Sequence, residues 1–458
     1  MDKTLNRAIK PDALGDMKFE LPEIERFRLG NNLSVLFVKK ENLPILRFTL
    51  LTESGSKFDA DSQKGLANLF ARVLDEGAGK YDAAGLSDEF DILGSNFNIG
   101  CLNDNIQITL QTLKENLDRS LEILGIILSQ PHLDEKSFER EKRKVLTSIQ
   151  QLKNSPEDIA DITFDRVVFG NGNPYAYPVI GYTADVNGIS VQNIRDYYKQ
   201  KFTPDNSTLI VVGDSNRLEL ETVLNNYLAG WTHSYQKTEL KYQKPQENFS
   251  IYLIHKEGAV QSEIRVGHLS EKRNEAHFFA KHLLNMILGG QFTSRINLNL
   301  REDKGYTYGA FSRFNYLKDS AQFLLSTSVS SENTGKAVTE ILKELKEIRK
   351  GVKEEELEFA KSSTIRRYPG NFETYSQVAA NLISLVVHSL PDNYFDTYID
   401  SLNKVSVKEV NEAAIENFHP EKLSVLVVGD KDHILRQLKE LNSGKVIELD
   451  IWGKKISS

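Results

Sequence analysis

The side chains best placed to do chemistry lie between Leu288 and Tyr308, where Arg301 and Tyr308 sit seven positions apart. A planar guanidinium and a phenolic hydroxyl are both hydrogen-bond donors. Ser294 to Glu302 has helical spacing, Asp303-Lys304-Gly305 supplies a stop and turn, and Tyr306, Tyr308 and Ala310 fall on one face of a strand to follow. On that reading alone Tyr308 packs in a sheet and Arg301 forms a surface ion pair. A second segment, Gly65 to Gly77, carries Leu66, Leu69, Phe70, Val73 and Leu74 at the spacing of an amphipathic core helix, with Arg72 expected to pair with Glu76 one turn on. Its remaining positions include Asn68, a neutral amide, and Ala71, which has no functional group. Other candidates fall away. His277 and His282 are five apart, on different sides of a helix, and are expected to be partly exposed or hydrogen-bonded. Cys101 is the single cysteine, in no nucleophile signature, and is expected as a buried inert thiol. No Gly-x-Ser-x-Gly elbow, phosphate loop or dinucleotide fingerprint is present.

The elements that position these residues belong to a chain of 458 residues, long enough for at least two domains. A net charge of −7 with Lys and Arg interspersed among acids excludes a basic nucleic-acid groove. No apolar run has the length of a membrane span, and the N-terminus lacks the apolar core of a signal peptide. A cytoplasmic location is expected, or a periplasmic one if an export signal has been removed.

The chain repeats itself. Val186-Asn187-Gly188-Ile189-Ser190-Val191, Phe202-Thr203-Pro204 and Leu209-Ile210-Val211-Val212-Gly213-Asp214 recur at the same spacing as Leu402 to Val407, Phe418-His419-Pro420 and Val425-Leu426-Val427-Val428-Gly429-Asp430. Each copy reads as a Ser-capped helix, a Pro turn and a buried strand. Residues 1–235 and 249–458 are therefore expected as homologous domains, with 236–248 as a linker lacking amphipathic period. Blocks of strands and helices favour an α+β fold over a doubly wound sheet.

The Gly65–Gly77 segment resembles the Gly-Leu-Ala-His-Phe-Leu-Glu-His stretch of the pitrilysin and insulinase zinc peptidases, the family that includes the mitochondrial processing peptidase. There the inverted motif His-x-x-Glu-His puts two imidazoles on one helix face around a general base. The matching positions here are Asn68, Ala71 and Arg72. The family's third ligand, a Glu in a later helix, matches Ser148 within Glu139 to Ile149. This set argues against zinc, since Arg72 brings a permanent positive charge and Ser148 is a poor ligand. Leu288 to Tyr308 is similar to the family's Gly-Gly-x-x-x-Ser-Arg-Leu…Leu-Arg-Glu-x-x-Gly-x-x-Tyr element. The resemblance implies that Arg301 and Tyr308 hold substrate and its developing oxyanion, and that Asn173 to Pro178 is a rigid loop. It covers essentially the whole chain and implies two α/β-roll halves with antiparallel sheets flanked by helices. It also implies a subunit inactive on its own, needing no cofactor, that pairs with a homologous zinc-bearing chain around a chamber for peptide substrates; a homodimer is a further expectation. The alternative is a structural subunit resembling the core proteins of the bc1 complex. The long glycine-rich loop of the family's processing-peptidase recognition subunits is missing, so a presequence-recognition role like theirs is not expected.

Overall fold

The computed structural model describes residues 23–243, 245, 248–273, 277–441 and 445–456. Part of the expected linker and the first residues of the expected N-terminal domain lie outside them. The first sheet is built from β1 (Ile24–Arg28), β2 (Ser34–Lys39), β3 (Ile45–Thr52), then, after a small hairpin of β4 (Gly77–Ala78) and β5 (Tyr81–Asp82), from β6 (Asn96–Cys101), β7 (Ile106–Leu113) and β8 (Ser207–Gly213). Their spatial order is β1-β2-β8-β3-β7-β6. The second sheet takes β9 (Ser250–His255), β10 (Gln261–Ser270), β11 (Ala310–Tyr316), β12 (Ala321–Ser330), β13 (Ser424–Gly429) and β14 (Val446–Leu449), in the order β11-β12-β10-β13-β9-β14.

Five strands match in order, β2-β8-β3-β7-β6 with β9-β13-β10-β12-β11, while the outer strands differ, β1 running antiparallel to β2 and β14 parallel to β9. β8 runs parallel to β2 and antiparallel to β3, and β13 runs parallel to β9 and antiparallel to β10. The repeated sequence thus marks a repeated topology of mostly antiparallel sheets flanked by helices. The repeated helix starts are equivalent too: Ser190 and Ser406 each cap a helix by accepting the backbone N–H three residues on.

The apolar runs in β8 and β13 require cover on both faces, because successive side chains of a strand point to opposite sides. Leu209 and Val211 enter a core with the helices of the first half, and Val425 and Val427 do the same in the second. The opposite faces are covered by exchange. Ile210 and Val212 pack against Val378, Ala379 and Leu382 of the Tyr375–His388 helix, which comes from the second half of the chain. Leu426 and Val428 pack against Ile159, Ala160 and Phe164 of the Pro156–Phe169 helix, which comes from the first. Gly267 of β10 is needed beneath this second helix: a Cβ there would meet the Phe323 carbonyl oxygen at 1.9 Å and the Phe164 ring at 3.2 Å. Each sheet therefore depends on a helix from the other half.

Candidate functional site

The helix Leu66–Val73 starts at Gly65, whose φ of +99° suits glycine, and its first N–H groups are received by a buried acid: Gly65 and Ala67 donate to Asp59 at 2.9 and 3.0 Å. The helix packs on Glu135–Leu152, so the fold brings Asn68, Ala71 and Arg72 beside the helix that carries Ser148. Their chemistry does not form a metal centre. Ala71 is buried, and Ser148 Oγ donates to the Lys144 carbonyl at 3.1 Å within its own helix. Asn68 Nδ2 is buried without a hydrogen-bond acceptor among the described residues. Arg72 is exposed. It has no ion-pair partner among the described residues, against the expected bond to Glu76, because Glu76 pairs instead with Arg140 of the facing helix. This set of side chains does not fit zinc.

The acids nearby are already engaged. Glu141 accepts from Lys144 at 2.6 Å. Burial, and next the charge of Glu141, push the Asp75 carboxyl above its usual range. No group of three or more His, Cys, Asp or Glu side chains with metal-binding geometry occurs among the described residues.

Arg301 lies in a π-helical turn, Leu298–Asp303, that prolongs the short helix Arg295–Asn297. Its guanidinium sits 4.3 Å from the centre of the Phe292 ring, with Nη1 3.4 Å from the Glu302 carboxylate. The surface ion pair expected from sequence is thus present, but poorly directed. Tyr308 departs from the sequence reading. The strand begins only at Ala310, and Tyr308 is 94% exposed on the loop before it, so it does not pack in a sheet. The loop's shape is fixed by Thr307, whose hydroxyl donates to Gly309 O at 2.9 Å, and by Gly305 at φ +64°. Phe292, Leu298 and Phe311 of the same element are also exposed. No hydrogen bond, ion pair or ring contact among the described residues joins Arg301 or Tyr308 to Asn68, Arg72 or Ser148.

The two elements occupy matching places in the repeat. The Leu66–Val73 helix abuts β6, the free edge of the first sheet, and the Met286–Gly290 turn with Arg295–Asn297 abuts β11, the free edge of the second. Free edges carry unpaired main-chain groups that can receive an extended chain. Cys101, at the end of β6, is half-buried, and burial pushes its thiol well above the usual range. His282 is partly exposed, as expected, and stacks on the Phe278 ring; its Nε2 is buried with no hydrogen-bond partner among the described residues, and burial with the charge of Arg273 pushes its pKa down to about 4.

Ser148 lines a groove of about 570 Å³ with Asp158, Asp161 and Asp165 of the exchanged Pro156–Phe169 helix. No motif marked these acids in the sequence. Burial raises Asp165 to about 7, and Asp161, itself bonded to Arg265 at 2.6 Å, adds to the rise. A carboxyl whose folded pKa exceeds its unfolded value binds its proton more tightly in the native state, so its contribution to stability falls as pH rises from about 4 to about 7. Asp165→Asn is expected to unfold at higher urea than the parent at pH 8, by about 2 kcal/mol, and at the same urea at pH 4. Equal midpoints at both pH values would remove the assignment.

The sequence pattern of the Insulinase (Peptidase family M16) domain matches residues 34–173, and that of the Peptidase M16 inactive domain matches residues 188–364. The chain belongs to peptidase family M16. It is 26% identical over 407 residues to the non-peptidase homolog YmxG of Helicobacter pylori, covering 88% of this chain and 93% of that one. It is 23% identical to the uncharacterized zinc protease YmxG of Bacillus subtilis, covering 86% and 96%. The crystal structure of a peptidase M16 inactive domain from Pseudomonas fluorescens shares the fold, with a TM-score of 0.83 at 21% identity over 89% of this chain and 98% of that one. No helix among the described residues is long and apolar enough to cross a membrane.

Proposed function

We propose that this chain is the non-catalytic subunit of a heterodimeric zinc endopeptidase, supplying substrate contacts and half of a chamber wall for peptide degradation or processing. The observation that supports it is an asymmetry between the two elements. The positions matching the zinc motif carry Asn68, Ala71, Arg72 and Ser148, whereas the Arg301 and Tyr308 donors are retained, with Tyr308 free on the surface. Zinc belongs, on this reading, to a homologous chain with an intact His-x-x-Glu-His, and the exposed loop of Tyr308 reaches the peptide bound there. The name of the Helicobacter pylori relative, a non-peptidase homolog, is in keeping with this division of labour.

The test is reconstitution with such a homologous chain. The mixture is expected to form a stable complex, to cleave an unstructured peptide at least about tenfold faster than the zinc chain alone, and to hold zinc in the partner only. A complex with no gain in cleavage would assign a structural subunit instead, and absence of a complex would remove the proposal.

A further inference from the structure

Adjoining the groove, and sharing Asn103 and Asp165 with it, is a cavity of about 440 Å³ where the two halves of the chain meet. The first half contributes Asp165 and Tyr175, and the second contributes Arg273, Tyr316, Gln322 and His388. Its size is that of small-molecule sites.

Arg273 reaches this cavity without an acidic partner among the described residues. Its Nη2 donates to the Tyr394 hydroxyl at 3.0 Å, and its guanidinium faces the Phe278, Tyr394 and Tyr316 rings at 4.5, 5.6 and 6.0 Å. Its Nε is buried and donates to no described acceptor. The aromatic faces offset part of the cost of removing the cation from water, but no carboxylate among the described residues balances its charge. The nearby imidazoles do not balance it. Burial and the charge of Arg273 hold His388 down at about 4, so the ring is neutral.

From across the junction come groups of the opposite kind. Asp165 accepts from Gln322 Nε2 at 2.7 Å, and Gln322 Oε1 is buried with no described donor. The same cavity thus holds a cation with a spare N–H and a carboxyl and amide with spare acceptors. An inorganic anion would neutralise Arg273 but leave Gln322 Oε1 unpaired and bring a second negative charge toward Asp165. A simple cation would do the reverse. A molecule that carries both a carboxylate and an ammonium satisfies both sides.

We infer that this cavity binds a zwitterionic α-amino acid or dipeptide, its carboxylate on Arg273, its ammonium on Asp165 and Gln322, and its side chain against the aromatic wall that includes Tyr316. This site is separate from the proposed peptidase role and requires no partner chain.

Calorimetric titration of the full chain alone at pH 8, where Asp165 is ionised, with L-phenylalanine and L-leucyl-L-phenylalanine as probes, tests it. Both are expected to bind, whereas 3-phenylpropionate and phenethylamine, each with one of the two charges, bind at least about tenfold more weakly. Asp165→Asn, which keeps the shape and the acceptor for Gln322, and Arg273→Gln are each expected to lose at least about tenfold in affinity. If Arg273→Gln fails to fold by circular dichroism, the Asp165→Asn variant and the singly charged probes decide. No binding of either zwitterion up to about 10 mM, equal binding of a singly charged probe, or unchanged affinity in Asp165→Asn would overturn the inference.

Discussion

Arg301→Ala is expected to lower partner-dependent peptide cleavage by about a hundredfold, and Tyr308→Phe by about tenfold, with the activity of the zinc-bearing chain alone unaffected. A fixed donor aimed at the charge that develops in hydrolysis contributes more than one that must be ordered at the moment of reaction. Arg301 is the fixed donor: the Phe292 face at 4.3 Å and the π-helical turn define its direction. Glu302 at 3.4 Å moderates its charge and sets the estimate at the low end of the usual range for such donors. Tyr308, at 94% exposure, must be ordered by the substrate or the partner and is given the smaller effect. The kinetic constants separate the roles. A group that only holds substrate changes KM, whereas one that stabilises the transition state lowers kcat as well. Because Tyr308 packs on nothing, Tyr308→Phe is expected to leave the melting temperature unchanged. A structural role for Arg301 predicts a lower melting temperature with an unaltered cleavage rate, and that outcome would sink the assignment.

The sequence and the structure agree where the signal is local. The strand Leu209 to Gly213 and its repeat Val425 to Gly429 are legible because four apolar residues in a row demand burial on both faces, and the Ser190 and Ser406 caps are legible because capping is settled within one turn. Which helix covers the second face is not legible. The Pro156–Phe169 and Tyr375–His388 helices are apolar enough to pack on either sheet, and only the assembled topology sends each to the other half. The candidate site divides similarly. The empty zinc frame needs only side-chain identity and could be seen in Asn68, Ala71, Arg72 and Ser148. The bond from Arg140 to Glu76 displaced the expected Arg72 pair because a facing helix, distant in sequence, competed for the same carboxylate. Tyr308 was misplaced by alternation: Tyr306, Tyr308 and Ala310 have the period of a strand, but Gly305 and the Thr307 hydroxyl fold the first two into a loop. Arg273 and Asp165, over a hundred residues apart in the chain, left no pattern to find.

Lys57→Met is expected to be the most destabilising single change among these, at about 3–5 kcal/mol by urea unfolding at neutral pH. The Lys57 side chain is 1% exposed and lies 2.9 Å from Asp104 and 2.7 Å from Asp319, carboxylates contributed by different halves. Tyr175 completes the arrangement, donating its hydroxyl to Asp104 at 2.6 Å, and Tyr242 donates to Asp319 at 2.7 Å. Burial alone would lower the pKa of Lys57, but the two carboxylates overcome it and the net shift is upward, so the ammonium stays charged. Removing it leaves two acids facing each other, one nearly dry, which costs more than the pair itself contributes. Lys57→Met with Asp104→Asn is therefore expected to be more stable than Lys57→Met alone. The parent has its own acid limit. Burial raises Asp319, but the hydrogen bonds from Lys57 and Tyr242 more than reverse this and hold it below the usual carboxylate range, so its contribution is present above about pH 4 and fades as pH falls through the lowered pKa. The exchanged helices make the form of the transition informative as well. Since each sheet is covered by a helix from the other half, neither half is complete alone, and Lys57→Met should lower the midpoint of one cooperative transition. Two resolved transitions would show that the junction depends on this charge cluster more than on the exchanged helices.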